Sequence, residues 1–493
     1  MGQCTVSTGT LVGVEVVSVD AEVDVGAGLP AFAIVGLADL AVQEARERVR
    51  SAVRSAGFDV PNSRIVVNLA PGPVRKHGTG FDLAIALGLL VATGQLPATL
   101  VNECMVIGEL SLDGSVRGVP GMLAYALAAR DNHRVLLGPA DAAGLGHLEG
   151  VEYRSLSHLR QLRTGVSSRF GRECELRAPS HSVDFGEVAG HEQAKRALLL
   201  AAAGGHNVLM VGPPGSGKTM LARRLPTILP PLDAHERLET ALVHSVAGLN
   251  DEAALAGMRP FRAPHHSASI AGLVGGGAPP RPGEASLAHN GVLFLDEMPE
   301  FGPAALQALR QPMEDGTVTL VRAEGRLRFP SRFALIGAAN PCPCGFRGDR
   351  ERACTCSPGL AARYLTRIGG PLMDRIDLVF DVDRINPSLL FQVAEGPTSD
   401  KMRASVLEAL ERATARRLGP TARLQGVSLL KACRLDSSAT RQVEAAARIK
   451  HLSGRGITRL LRVSRTVADL EGAERVDAGH IGEALGFRAK EDC

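Results

Sequence analysis

The chain has 493 residues, 45% of them hydrophobic, 22% charged and 3% aromatic, with a net charge of only +3. That length excludes a single core and points to about two to four domains, and no apolar run reaches the ~18 residues of a membrane span. With no tryptophan, a base-stacking platform for single strands is disfavoured, and any nucleic acid would be held by arginine contacts to its backbone.

The opening stretch, "MGQCTVSTGTLVGVEVVSVDAEVD", alternates apolar and polar residues and lacks the basic, then continuously apolar, pattern of a leader. The expectation is a cytoplasmic chain with reduced cysteines and no membrane contact, which demotes disulfides. Residues 1–165 mix period-2 strands ("LVGVEVVSVDAEVDV", "SRIVVNLAPG") with helical stretches ("LAVQEARERVRSAVRSAG", "FDLAIALGLLVATG"), as in an α/β domain. A Ser-, Arg- and Pro-containing stretch reads as a linker over 166–182. Residues 183–385 alternate strands and helices in the manner of a doubly wound α/β core, and residues 386–493 turn helical. Three domains are expected. The last is basic: residues 401–493 hold 18 Lys and Arg against 11 Asp and Glu, net +7, leaving −4 for the rest. A nucleic-acid surface and a solvated helical face account for that equally well.

The most informative stretch is "NVLMVGPPGSGKTMLARRL". An apolar strand runs into Gly212, Pro213, Pro214, Gly215, Ser216, Gly217, Lys218 and Thr219, and then into a helix. The pattern and its strand–loop–helix context match a phosphate-binding loop. Small residues let backbone N–H groups close around phosphate oxygens at a helix N-terminus. Lys218 would reach the β- and γ-phosphates, and Thr219 would ligate Mg²⁺. A second strand, "GVLFLDE", delivers Asp296 to the Mg²⁺ shell and Glu297 to polarise the attacking water. A third, "FALIGAAN", ends in Asn340, placed to orient that water. ATP and Mg²⁺ are the expected cofactors.

Directly after Asn340 come Cys342, Cys344, Cys354 and Cys356, two C-x-C pairs around a short polar loop. Four thiolates suit tetrahedral Zn²⁺, although the spacing is tighter than usual. A metal would order a loop that has no core of its own. An iron–sulfur cluster, redox sensing and plain burial are the alternatives.

The three nucleotide motifs, with "FRAPHHSASIAGLVGGG", "PRPGEASLAHNGVLFLDEMPEF", "LRQPMEDGTVTLVRAEG", "AANPCPCGF" and "GPLMDRIDL", resemble the Mg-chelatase-like branch of the AAA+ ATPases, and within it the YifB/ComM family. The resemblance implies a homo-hexameric ring with nucleotide between subunits and DNA, branched or forked, as the partner. It implies a role for Arg375 as the arginine finger that reaches the neighbour's γ-phosphate. It puts Arg455 at the position of a second, lid-borne cation, with Arg459 and Arg462 further along the same helix. Two insertions would face the pore of such a ring, one carrying Arg259, Arg262, His265 and His266, the other a hairpin turning at 323–325 with Arg322, Arg326 and Arg328. A metal site at the two histidines is disfavoured, because adjacent side chains point apart on most backbones.

The N-terminal stretch "NLAPGPVRKHGTGFDLAIALGLL…MVIGELSLDGSVRGVPGMLAYALAA" resembles the Lon-type protease domain. That chemistry needs a serine beside a neutral lysine. The resemblance puts Gly80 where the serine belongs and Leu123 where the lysine belongs, with Thr79 and His77 nearby. A protease fold without its catalytic pair is therefore expected, followed by a P-loop AAA+ core and a C-terminal helical lid.

Overall fold

The alternation at the N-terminus folds as a long hairpin. β1 (Gln3–Val12) runs antiparallel to β2 (Glu15–Gly26), from Gln3 opposite Asp24 to Val12 opposite Glu15, and Val6, Val19, Ala21 and Val23 turn into the core. In this computed structural model, residues 2–139, 145, 148–166, 168–170, 182–322, 325–349, 351–385, 388 and 396–488 are described. β3 (Ala31–Val35), β4 (Arg64–Ala70), β5 (Cys104–Val106), β6 (Val135–Pro139), β7 (Glu152–Leu156) and β8 (Ser168–Phe170) complete an eight-stranded mixed sheet ordered β8-β7-β6-β5-β1-β2-β4-β3. β8 pairs with β7 through Ser168 opposite Arg154. The start of the expected linker is thus the last strand of the first domain, and the boundary moves from 165 to beyond Phe170. Residue 167 and residues 171–181 of the expected linker lie outside the described residues.

Helices α1 (Leu40–Ser55) and α2 (Asp82–Ala92) cover one face of this sheet. Asp39 caps α1 by accepting from the Val42 N–H at 2.8 Å. α3 (Met122–Asp131) lies on the other face, apolar on nearly every side and buried accordingly. Its Met122, Leu123, Tyr125 and Ala126 share one core with Leu232, Ala241 and Ala254 of the following domain. The Gly121 N–H donates to Ser245 O at 2.8 Å and the Leu123 N–H to Ser245 Oγ at 3.3 Å. The two domains are therefore joined through a hydrophobic core.

The second domain contributes α4 (Glu192–Gly204), β9 (Val208–Val211), α5 (Lys218–Ile228), α6 (Ala234–Val246), β10 (Phe261–Arg262), β11 (Val292–Leu295), the hairpin β12 (Thr317–Arg322) and β13 (Gly325–Pro330), β14 (Ala334–Ala339) and β15 (Leu378–Asp381). Five strands form a parallel sheet ordered β10-β11-β14-β9-β15. Every residue of β9 and β11 is buried, as a parallel sheet covered on both faces requires. Its carboxyl ends open where the strand order reverses, the usual place for a ligand in such sheets.

Five C-terminal helices follow: α7 (Ser399–Ala415), α8 (Gly426–Cys433), α9 (Ser437–Ile449), α10 (Gly454–Leu470) and α11 (Ala478–Gly486). Val406, Leu460, Val467 and Ile481 join Leu198 and Leu225 in one core. Several arginines of these helices are internal struts. Arg465, 1% exposed, donates to Ala432 O and Glu474 O at 3.2 and 3.0 Å and pairs with Asp469 at 3.1 Å. Arg416 also pairs with Asp469, Arg462 donates to Leu424 O and Arg403 to Thr227 O. Much of the positive excess in 401–493 is thereby structural. No helix among the described residues is long and apolar enough to cross a membrane.

Candidate nucleotide-binding site

β9 ends at Val211, and the chain enters the loop at Gly212, where a Cβ would lie 2.2 Å from Val382 O and 2.9 Å from Ser216 Oγ. Gly215 and Gly217 have φ of +77° and +88°, a left-handed conformation glycine adopts freely. α5 then starts at Lys218, so the loop's N–H groups and the positive end of an eleven-residue helix share one hollow. Lys218, 8% exposed, donates from Nζ to Gly212 O at 2.7 Å and Pro213 O at 2.9 Å, with Asn340 Oδ1 at 3.4 Å. Burial lowers its amine pKa below the ordinary lysine value, while Asp296 and Glu297 push back. Thr219 Oγ1 donates to Asp296 Oδ2 at 2.7 Å. The sheet order brings these groups together, because β14 lies between β9 and β11. A hydroxyl beside a carboxylate suits Mg²⁺, and a cradle without Cβ atoms at three positions suits phosphate.

Glu297 takes a left-handed φ of +49°, uncommon for a residue with a side chain and concentrated at functional sites. Its N–H donates to Asp296 Oδ1 at 3.0 Å, and its Oε2 lies 3.5 Å from His266 Nδ1. His266 stacks against His265 with ring centroids 4.1 Å apart. The two rings lie together rather than pointing apart, held by Glu297 on one side and by Ser267 Oγ, 2.8 Å from His265 Nδ1, on the other. Sequence reading missed this contact, whose only trace was that the histidines follow the strand beside β11.

The arginines gather elsewhere. Arg375 is 13% exposed, pairs with Glu314 and donates to Pro371 O. Its guanidinium pKa is lowered by burial and by Arg310 and Arg455. Arg455 is 71% exposed and 3.7 Å from Asp374, which places it beside Arg375. Arg459 is a strut, donating to Met373 O and Ile376 O at 2.9 and 2.8 Å. Asn207, just before β9, ties this corner to the sheet. Its Nδ2 donates to Arg375 O at 2.9 Å, its N–H to Asp377 Oδ2 at 3.1 Å, and its Oδ1 accepts the Leu335 N–H at 2.9 Å.

Cys342, Cys344, Cys354 and Cys356 converge, with their four Sγ atoms within 4.8 Å of one another. Three separations, Cys342–Cys344, Cys342–Cys354 and Cys344–Cys354, are 3.3, 3.6 and 3.5 Å. An ideal Zn²⁺ tetrathiolate has edges of about 3.8 Å, whereas a disulfide needs about 2.05 Å. The cluster can hold a metal. Among the described residues it is also the one group of three or more metal-ligating side chains that converges, so the histidine pair forms no such group. Backbone N–H groups of Phe346 and Thr355 pull the Cys344 thiol down to about 5. Cys4, Cys104 and Cys433 are free thiols.

The insertions divide. Arg259 donates to Pro230 O and Asn290 O, both at 2.6 Å, and pairs with Glu236. Arg262 grips Glu284 at 2.7 and 2.8 Å. Both therefore hold the fold. In the hairpin, Val318 faces Phe329 and Leu320 faces Leu327 toward the core, while Arg326 and Arg328, paired with Val321 and Thr319, stand on the outer face. Arg322 falls on the inner register and reaches Gly277 O at 3.4 Å. Of the expected turn, residues 323 and 324 lie outside the described residues.

In the first domain, a Cβ on Gly80 would meet the methyls of Val119 at 3.6 Å, and Leu123 is fully buried in the joint. Thr79 Oγ1 donates to Glu109, and His77 Nδ1 lies 3.4 Å from Asp39. Among the described residues, these positions hold no serine–lysine pair.

Comparison with known proteins follows the same division. The family model "Magnesium chelatase, subunit ChlI" matches residues 184–390, "Subunit ChlI of Mg-chelatase" residues 21–141, and the subunit's C-terminal model residues 396–488. The chain is 41% identical to YifB of Salmonella typhimurium, over 99% of this chain and 97% of that one. It is 41% identical to the competence protein ComM of Haemophilus influenzae, over 97% and 96%. It is 28% identical to the DNA replication licensing factor mcm6 of Dictyostelium discoideum, over 42% and 22%.

Proposed function

The chain belongs to the YifB/ComM family, with a Mg-chelatase-like AAA+ ATPase core, and from that premise we propose a hexameric ring motor that uses ATP to move DNA. The specific reading is a branch-migration helicase of the ComM type, acting in natural transformation and recombination. The observation that carries the ATPase is the meeting of Thr219 with Asp296 beside Lys218 and Asn340.

The backbone from Gly212 to Gly217 and the Lys218 amine would hold the phosphates, and Thr219 with Asp296 would hold Mg²⁺. Bound Mg²⁺ supplies the charge that offsets the one developing on the transferred phosphoryl group. Glu297 takes the proton of the attacking water, and Asn340 fixes that water in line. Arg375 of one protomer reaches the γ-phosphate held by the next, with Arg455 beside it. The proximity of Arg455, 3.7 Å from Asp374, to Arg375 supports a joint role across the subunit boundary. Four thiolates at Cys342, Cys344, Cys354 and Cys356 would bind Zn²⁺, the cofactor set being completed by ATP and Mg²⁺.

DNA is supported by the competence and replication names of two relatives and by exposed Arg326 and Arg328 on one hairpin face. Backbone contacts of that kind release counterions, so affinity falls with salt at a slope of about −0.9 per phosphate neutralised. A second reading, an ATPase that remodels a protein partner, is favoured by the chelatase-type models matching all three domains.

Steady-state ATP turnover with and without Holliday-junction, forked and linear DNA separates the two. Stimulation by junction DNA, with Glu297→Gln lowering turnover about 10²–10³-fold while nucleotide still binds, is the expected result. Turnover indifferent to every DNA would put the protein-partner reading first.

A further inference from the structure

The cysteine cluster is built into the wall of the phosphate loop. Cys342 follows β14 by three residues, and Asn340 between them has its Oδ1 3.4 Å from Lys218 Nζ. Gly345, at φ +84° and hydrogen-bonded to Cys342 O at 2.9 Å, lies so close to Pro214 that a Cβ there would be 2.6 Å from the proline ring. On the third side, Arg384 pairs with Asp349 at 2.9 Å and Glu351 at 3.4 Å. Val382, two residues before Arg384 and just past the end of β15, donates its N–H to Val211 O at 2.7 Å and presses its own carbonyl on Gly212.

The segment bounded by the cysteines, "GFRGDRERA", has one large apolar side chain, Phe346, and that ring is flanked by the guanidinium groups of Arg352 and Arg384 at 5.3 and 6.0 Å. Such a loop has little burial to set against its chain entropy. The four sulfurs accept a few backbone N–H groups, such as that of Cys344 on Cys356 Sγ at 3.4 Å, and an ion bound by all four would add far more order than these weak contacts. Order in the loop and order in the phosphate site are therefore one property.

We infer that metal occupancy of the Cys342–Cys344–Cys354–Cys356 cluster sets the affinity of the phosphate loop for nucleotide. The inference rests on the zinc reading above and adds to it a regulatory consequence. Loss of the ion releases the loop, Pro214 and Asn340 lose their backing, and the cradle around Lys218 loosens.

The test uses the full-length protein. Zinc is quantified by its release to a chromogenic chelator, and Mg²⁺-dependent binding of a fluorescent ADP analogue is titrated before removal, after a zinc-selective chelator that spares Mg²⁺, and after Zn²⁺ is restored. About one zinc per protomer and a reversible loss of nucleotide affinity of about tenfold or more, the scale of outer-shell effects at metal sites, are expected, with far-UV circular dichroism unchanged. Gly345→Ala keeps all four thiols and should retain zinc while weakening nucleotide binding by a similar factor. Cys354→Ser should lose both; if that variant does not fold, chelation of the wild type and Gly345→Ala decide. Zinc that leaves without changing nucleotide affinity overturns the coupling and spares the zinc reading. Protein that neither carries nor takes up zinc overturns the zinc reading, and the coupling with it.

Discussion

Two lysines are buried in strand–loop–helix turns of this chain. Lys76 lies between β4 and α2 in the first domain, and Lys218 between β9 and α5 in the second. Each turns its amine back on its own loop, Lys76 to Pro71 O at 2.5 Å and Lys218 to Gly212 O at 2.7 Å. Each has its pKa lowered by burial. What differs is the company. Around Lys218, neighbouring strands deliver Asp296 and Asn340, and the first turn of α5 the Thr219 hydroxyl, to a hollow walled by glycine backbone. Around Lys76, the polar groups are matched with one another: Asp39 with His77, Thr79 with Glu109, and Asp82 with Arg48 at 2.6 Å. The facing position, Gly80, looks onto valine methyls. A buried lysine becomes a site only where other strands converge on it; otherwise it is a strut.

That contrast can be broken. Lys218→Ala should show the largest effect, a fall in ATP turnover of about 10²–10³-fold with loss of nucleotide binding and little change in melting temperature. Leu123→Lys, which places an ammonium in the joint between α3 and α6, should lower stability by about 3 kcal/mol in a denaturant titration. Combined with Gly80→Ser it should give no peptidase, because Leu123 is buried in the core that α3 shares with the second domain instead of lining a cleft. Peptide cleavage by that double variant would show the first domain to be a latent protease. Lys76→Met should have the smallest effect, about 1–3 kcal/mol for leaving the Pro71 carbonyl unpaired, with kcat for ATP unchanged. A loss of turnover there would mean that the first domain acts in the nucleotide cycle.

The meeting of Lys218 and Thr219 with Asp296 and Asn340 was legible because each lies in a short local motif. Gly212 to Thr219 are consecutive, and Asp296, Glu297 and Asn340 each end an apolar strand, so β-strand order alone brings them together. The cysteine cluster was legible for the same reason. Arginine roles were not, because a guanidinium is read by what it reaches. Arg259 and Arg262 resemble exposed cations until Glu236, Glu284 and distant carbonyls come into range. The joint at α3 left one trace: "MLAYALAARD" is too apolar around its circumference for a helix with a single sheet beneath it, and a second covering surface had to exist. The end of the first domain was misplaced because Ser168–Phe170 is a three-residue strand without an alternation long enough to register.

Asn207 gives the molecule a mechanical property that no single active-site residue has. One side chain grips the carbonyl of Arg375 and the amide of Leu335, and its own amide is held by Asp377. The next four residues are β9, about 13 Å of fully hydrogen-bonded strand ending at Gly212. The backbone of the residue proposed to sense a neighbour's phosphate and the loop proposed to hold the protomer's own thus lie at opposite ends of one short strand. If the chain works in the proposed ring, this strand would give each subunit's load state a direct backbone route to its own phosphate loop.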